Sequence, residues 1–254
     1  MRTIGLLGGM SWESSIEYER LINTEVRRRL GGTHSASLVI RSYDFATIEA
    51  LQQAGDWDAA GALLATDARR LVDAGAEILV LCTNTMHRVA ATITAAVDVP
   101  FLHLADVTAR AVLEAGIERV GLLGTRYTME QPFLRERLAE HGLTVIVPDE
   151  PDRTLVHDII FEELVQGRLL DASRRAYLEV IERLVDRGAG GIIAGCTEIE
   201  LLVGADDLAD IAGTAGSTGI AGTAGSTGIA WFPTTRLHAL AAVDAALAPD
   251  PPPA

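Results

Sequence analysis

The 254-residue chain is poor in cysteine, in basic residues and in long apolar segments. It has only two cysteines, a content that is typical of proteins in a reducing compartment and too low for a scaffold held together by disulfides. Lysine and arginine number 21 against 35 aspartates and glutamates, for a net charge of −14, so neither a nucleic-acid-binding surface nor a polybasic membrane segment is expected. No uncharged apolar run reaches the roughly 20 residues that span a bilayer. The N-terminal residues do not show the succession of a basic segment, an apolar segment and a cleavage site that marks a signal peptide. These features predict a cytoplasmic protein.

Short apolar runs alternate with amphipathic segments along most of the chain. Strands are predicted at 1–9, 37–43, 77–81 and 99–102, and in the second half at 120–123, 144–147 and 192–195. Helices are predicted after residue 14 and at 57–72, 86–96, 129–140, 154–165, 172–185 and 234–247. This alternation predicts an α/β fold of doubly wound parallel sheets that are covered by helices on both faces.

Two pairs of similar segments indicate an internal duplication. The segments 78–85 and 191–198 each run from apolar residues into Cys-Thr, and their cysteines, Cys82 and Cys196, lie 114 positions apart. The Ile-Gly-Leu-Leu-Gly of 4–8 and the Val-Gly-Leu-Leu-Gly of 120–124 lie 116 positions apart. Two motifs at nearly one offset predict two similar lobes, and ligands of such sheets bind beyond the carboxyl ends of the strands, where both cysteines are predicted to lie.

A tandem repeat interrupts this pattern near the end of the chain. The nine residues 211–219 are followed by nine identical residues, 220–228. Their glycine, serine, threonine and alanine composition is that of a flexible linker. We therefore predict a C-terminal lobe at 104–210, a mobile loop at 211–230 and a frayed tail at 249–254.

Each cysteine is predicted to lie between a strand and a helix. A thiol at a helix N-terminus has a lowered pKa, and the exposed N–H groups there, with the hydroxyls of Thr83 and Thr197, can bind a carboxylate. Two thiols on opposite faces of an α-carbon can exchange its proton, one as base and one as acid, without a cofactor. The alternative for each cysteine is packing as a small apolar residue. A disulfide is disfavoured by the compartment, and a metal site with His87 lacks further suitably spaced ligands.

The turn at Gly8-Gly9-Met10-Ser11 is a second candidate site. Its glycines allow a substrate to approach the backbone closely, and they serve equally well in an ordinary tight turn from strand to helix. Both interpretations stay open at the level of sequence.

The motifs at 8–14 (Gly-Gly-Met-Ser-Trp-Glu-Ser), 82–87 (Cys-Thr-Asn-Thr-Met-His) and 195–198 (Gly-Cys-Thr-Glu) resemble those of the aspartate/glutamate racemase family, and most of all its broad-specificity amino-acid racemases. The resemblance implies racemisation of a small amino-acid substrate by Cys82 and Cys196, in a cleft between two lobes, in a homodimer and without pyridoxal phosphate or a metal. It also implies that 231–248 returns to the N-terminal lobe, 1–103. The substrate would be lined by Met10, Asn84, Thr85, Thr125, Thr197 and Glu198.

Within the resemblance, Asn84, Thr85 and Thr197 would hold the α-carboxylate and Glu198 would meet the ammonium group. Aspartate racemases place basic side chains for the distal carboxylate in regions that correspond to 44–48 and 164–166, and neither region has Lys or Arg here. A neutral or broad substrate range is therefore favoured. The rival hypotheses are hydantoin racemisation, maleate isomerisation or arylmalonate decarboxylation on the same scaffold, and amino-acid binding without catalysis.

Overall fold

A computed structural model describes residues 1–208, 211 and 228–249 of the chain. The strands are β1 Ile4–Gly8, β2 Leu38–Ser42, β3 Ile78–Leu81, β4 Phe101–Leu102, β5 Arg119–Gly124, β6 Thr144–Ile146, β7 Gly191–Gly195 and β8 Ala230–Pro233. The α-helices are α1 Trp12–Leu30, α2 Phe45–Ala54, α3 Trp57–Asp73, α4 Ala90–Thr94, α5 Leu104–Glu114, α6 Arg126–Glu130, α7 Pro132–Glu140, α8 Asp152–Glu162, α9 Asp171–Asp186, α10 Ile199–Leu202 and α11 Thr234–Leu247. Short 3₁₀ segments cover Thr85–Val89, Leu164–Gln166 and Asp206–Leu208. None of these helices combines the length and hydrophobicity that crossing a bilayer requires.

The first compact unit contains Met1–His103 and the chain from His238 onward. Its sheet has the order β2-β1-β3-β4, with every pairing parallel. Alternate strand residues enter two apolar clusters: Leu7 and Leu81 pack with α2 and α3, whereas Ile4 and Val80 pack with α1 and α11. Because both faces of the sheet are covered, the strands β1 and β3 are uninterrupted apolar runs.

The second unit contains Leu104–Leu237 and repeats the first arrangement. Its parallel sheet has the order β6-β5-β7-β8. Leu123 and Ile192 enter a cluster with α8 and α9, while Val120 and Ile193 enter a cluster with α5 and α7. Two sheets with the same strand order confirm the predicted α/β fold of two similar lobes.

Of the residues 231–248 predicted to return to the N-terminal lobe, the structure places 231–237 in the second unit and 238–248 in the first. Strand β8 pairs with β7, with Ile192 opposite Trp231 and Ile193 opposite Phe232, so this strand belongs to the second sheet and not to the first unit. The chain rejoins the first unit only at His238, inside α11. The cause is hydrophobic: Trp231 and Phe232 are buried on opposite faces of the second sheet.

The predicted loop 211–230 and tail 249–254 lie mostly outside the described residues. Where the loop is described, the Ile229 N–H donates to the Ile211 carbonyl at 3.1 Å, and Ala230 already belongs to β8.

Candidate active site

In each unit the cysteine lies at the point where the strand order reverses. Leu7 of β1 is opposite Leu81 of β3, and Gly124 of β5 is opposite Gly195 of β7. Cys82 and Cys196 each follow these strands by one residue, at the carboxyl edge of the sheet. From β1 the chain adds β2 on one side of the sheet and then β3 and β4 on the other, and β5 is flanked in the same way by β6 and β7. Doubly wound sheets bind ligands at the carboxyl edge beside such a reversal.

The turn after β1 requires its second glycine. Gly9 has φ +81°, and a Cβ there would lie 2.2 Å from the Tyr43 nitrogen and 2.4 Å from its oxygen. The Gly9 N–H donates to Ser15 Oγ. The tight-turn interpretation of this motif thus has a packing reason, and the turn brings Met10, which is buried, to the edge that carries Cys82.

Cys82 is fully buried in an apolar cluster. Its N–H donates to the Leu7 carbonyl at 2.9 Å, and its carbonyl accepts from Ser14 Oγ at 3.3 Å. Burial raises the pKa of the Cys82 thiol far above its ordinary value. In the structure as described, this side chain is therefore a neutral thiol.

The polar residues after Cys82 are buried with it. Thr83, Asn84 and Thr85 are each less than a tenth exposed, and a 3₁₀ segment begins at Thr85. His87 Nδ1 lies 2.7 Å from the Thr83 carbonyl, so this nitrogen carries the proton and donates. The predicted substrate residues Asn84 and Thr85 thus follow Cys82 in one tight turn, which the hydrogen bond from His87 to the Thr83 carbonyl stabilises.

In the second unit, Thr125 occupies the position beside Cys196. Its hydroxyl accepts from the Thr128 N–H at 3.3 Å and lies 3.2 Å from the Thr128 hydroxyl. Thr125 therefore serves as the N-cap of α6. Thr197 is also buried.

The Cys196 thiol is half-buried and donates from Sγ to Glu198 Oε2 at 3.0 Å. Burial first, and then the charge of the Glu198 carboxylate, raise the pKa of Cys196 well above its ordinary value. Glu198 itself is buried. A buried carboxylate held against the thiol is arranged to accept its proton.

The prediction that both thiols have lowered pKa values is therefore wrong. The segments that follow the cysteines are short, a 3₁₀ segment at Thr85–Val89 and four residues of α10 at Ile199–Leu202, so few aligned peptides face each sulfur. Burial outweighs that small dipole at Cys82, and burial with the Glu198 charge outweighs it at Cys196.

Sequence reasoning missed one residue beside Cys196. Tyr177 is buried in α9 and donates its hydroxyl to the Val156 carbonyl at 3.0 Å. Burial first, and then the charges of Cys196, Glu163 and Glu198, raise its pKa. In the sequence, Tyr177 is one apolar position of an amphipathic helix, and nothing local distinguishes it from a packing residue. Across residues 1–208, 211 and 228–249, no three His, Cys, Asp or Glu side chains group as metal ligands would.

Each of the two α/β units has the same strand order and carries a cysteine at the point where that order reverses. Residues 7–215 match the model of the Asp/Glu/hydantoin racemase family, and the chain belongs to this family. It is 49% identical to a candidate Asp/Glu racemase from Yersinia pestis, with a TM-score of 0.85 over 98% of this chain and 100% of the other. It is 29% identical to an aspartate racemase homologue from Pyrococcus horikoshii OT3, with a TM-score of 0.78 over 97% and 99% of the two chains. The Picrophilus torridus aspartate racemase shares the fold at 16% identity, with a TM-score of 0.68 over 97% and 94%.

Proposed function

We propose that the protein is a cofactor-independent amino-acid racemase in which Cys82 and Cys196 exchange the α-proton. The observation that carries the proposal is their equivalence. Each cysteine is the residue after the strand that pairs with the first strand of its unit, at the edge where such sheets bind ligands. Packing alone gives no reason for the same Cys-Thr pair at the same register in both units.

In the proposed reaction, one sulfur acts as a thiolate and removes the α-proton, which leaves the electron pair on the α-carbon and its carboxylate. The other thiol donates its proton to the opposite face, and the roles of the two sulfurs are exchanged. At Cys196, Glu198 is placed to accept the thiol proton, since Sγ already donates to Oε2. An ammonium group bound near Glu198 would offset the carboxylate charge and lower the pKa of Cys196 toward the working range.

The proposed binding residues are Met10, Asn84, Thr85, Thr125, Thr197 and Glu198. All six are buried, and each lies within four residues of its strand's end at the carboxyl edge of its own sheet. Thr125 already caps α6 through its hydroxyl, so its proposed role is to shape the edge beside Cys196. The carboxylate of the substrate is assigned to Asn84, Thr85 and Thr197.

We propose a neutral or broad range of amino acids as substrates. Residues 44–48 and 164–166 offer no cation for a distal carboxylate. Arg41, at the end of β2, is engaged: Nε donates to buried Asp67 at 2.9 Å and the guanidinium stacks 4.5 Å from the ring of Tyr43. The charge of Arg41 is therefore already offset by a buried carboxylate.

The test is α-proton exchange followed by NMR in D₂O, with separate L- and D-amino acids. The wild-type protein should exchange the α-proton of both enantiomers and produce the opposite one. Cys82→Ser and Cys196→Ser should each lower inversion by at least about 100- to 10,000-fold, since each removes one acid–base group. Each variant should still exchange the α-proton of one enantiomer, because one thiol remains on one face.

A serine variant that inverts as fast as the wild type would overturn the two-thiol proposal. A reduced, folded wild-type protein that exchanges no α-proton would overturn racemisation of amino acids. Hydantoins belong in the same panel, because the family includes hydantoin racemases. The homodimer and the cytoplasmic location remain proposals, and light scattering after gel filtration would test the first.

A further inference from the structure

The first turn of α11 is bound to the segments that flank Cys196. Thr234 Oγ1 donates to the Ala194 carbonyl at 2.7 Å, and the Thr235 N–H donates to Glu200 Oε1 at 2.9 Å. Ala194 precedes Cys196 by two residues and Glu200 follows it by four. The start of the helix is therefore fastened on both sides of this cysteine, and a carboxylate lies at its positive end.

The second turn of the same helix belongs to the first unit, where His238 holds it. This side chain is fully buried, with Nε2 2.8 Å from the Leu102 carbonyl and Nδ1 2.9 Å from the Tyr18 hydroxyl. A carbonyl only accepts, so Nε2 carries the proton. In the neutral imidazole, Nδ1 then accepts from the hydroxyl of Tyr18, and this tautomer satisfies both ring nitrogens.

The residues that contact His238 also contact the segments before and after Cys82. Tyr18 lies in α1 and packs in the same apolar cluster as Cys82. The imidazole of His238 also makes an edge-on contact with His87, at 5.9 Å between ring centroids, and His87 donates to the Thr83 carbonyl. The second turn of α11 is therefore in contact with the helix before Cys82 and with the turn after it.

The chain passes from the first unit to the second between His103 and Leu104, and it returns between Leu237 and His238. The hydrogen bond from His238 to the Leu102 carbonyl therefore connects the end of the first segment of this unit to the start of its second segment. We propose that His238 is a positioning residue: by fastening α11 to Leu102 and Tyr18, it sets the placement of the Cys82 thiol for a reaction that also needs Cys196. This inference rests on the proposed two-thiol reaction.

The experiment measures the ratio of the inversion rate to the rate of exchange with retention, and both rates are obtained from the same sample. Removing and returning a proton on one face needs one thiol, whereas inversion needs both. A helix that is loosened at its second turn should therefore slow inversion more than exchange with retention for the enantiomer whose α-proton faces Cys196, because that exchange does not use Cys82. Partial unfolding lowers both rates alike, so it leaves the ratio unchanged. NMR in D₂O measures deuterium in the recovered enantiomer, and chiral chromatography measures the enantiomer that forms.

In His238→Leu, which loses both hydrogen bonds, the ratio of inversion to retention should fall about 100-fold, the loss expected for a misplacement of about 1 Å. Tyr18→Phe should lower the ratio in the same direction by a smaller factor. His238→Gln keeps a donor for the Leu102 carbonyl and should rescue most of the ratio. Leu64→Ala, which trims a buried residue of α3 in the other apolar cluster of the first unit, should reduce stability and leave the ratio unchanged.

A wild-type ratio in His238→Leu would overturn the inference and leave the proposed function standing. If that variant does not fold, a wild-type ratio in Tyr18→Phe would overturn it equally. Wild-type protein that exchanges no α-proton would remove the proposed function, and the inference with it.

Discussion

The stability of the first unit should depend on pH through His238. Burial first, and then the neighbouring His103, lower the pKa of this histidine from 6.5 to about 4, although the Leu102 carbonyl acts in the opposite direction. Between these two values the unfolded chain binds the proton and the folded chain does not. Stability from this group is therefore complete above the unfolded value and is lost as the pH falls toward 4.

The size of the effect follows from the two pKa values. The full difference corresponds to about 3 kcal/mol below the folded pKa, and about 2 kcal/mol of it is already lost at about pH 5. No reduction for solvent screening applies, because the side chain is fully buried. Carboxylates also titrate in this range, so the effect must be read as a difference between wild type and a variant.

The assay is urea unfolding of the wild type and His238→Gln from about pH 7.5 to pH 5. Glutamine does not titrate, so the free-energy gap between the two proteins should narrow by about 2 kcal/mol over this range. His34→Gln, which replaces a solvent-exposed histidine, is the control and should follow the wild type. A gap between wild type and His238→Gln that stays constant with pH would refute the reasoning.

Three further predictions concern the site itself. Iodoacetamide should modify Cys196, which is half-buried, before Cys82, which is fully buried; equal rates by peptide mass mapping would contradict the described burial. Glu198→Gln should move the pH profile of Cys196 alkylation to lower pH, because the carboxylate raises the pKa of that thiol; an unchanged profile would argue against their contact. Gly9→Ala should cost about 2–5 kcal/mol in urea unfolding, because a left-handed backbone costs about 1–2 kcal/mol and the clash 2.2 Å from a backbone nitrogen adds to it. Gly55→Ala, with φ +69° and open space, should cost only the backbone part, and equal losses would show that the clash is relieved.

The duplication and the places of both cysteines could be predicted from the sequence because a parallel strand that is covered on both faces leaves an uninterrupted apolar run. The runs that end at Cys82 and Cys196 have nearly the same offset as the two Gly-Leu-Leu-Gly runs, so the division into two similar lobes followed from one pattern. Helix α2 was missed, although Asp44 caps it by accepting from the Ala46 N–H at 3.2 Å. Helix α5 was missed as well.

The chemistry of the thiols could not be predicted in the same way. The pKa of Cys196 depends on the rotamer that brings Glu198 to 3.0 Å and on the burial of both side chains, and these are properties of the folded unit. The sheet that receives β8 was likewise undetermined, because Trp231 and Phe232 suit any covered parallel strand. His238 is one residue of an amphipathic helix until Leu102 and Tyr18 are placed beside it.

The two cysteine segments differ where the Cys-Thr pairs end, with Asn84 in one and Glu198 in the other. This single difference places a charge beside Cys196 and none beside Cys82, so the thiols cannot be equivalent acids. Under the proposed function, however, the enantiomers have equal free energies, so kcat/KM must be equal in both directions whatever the thiols do. The asymmetry must instead appear in kcat and KM separately and in the pH dependence of exchange with retention. In Glu198→Gln, the exchange that depends on Cys196 should shift with pH, while the exchange that depends on Cys82 should not. Equal shifts for both enantiomers would mean that Glu198 acts through the substrate and not through the Cys196 thiol.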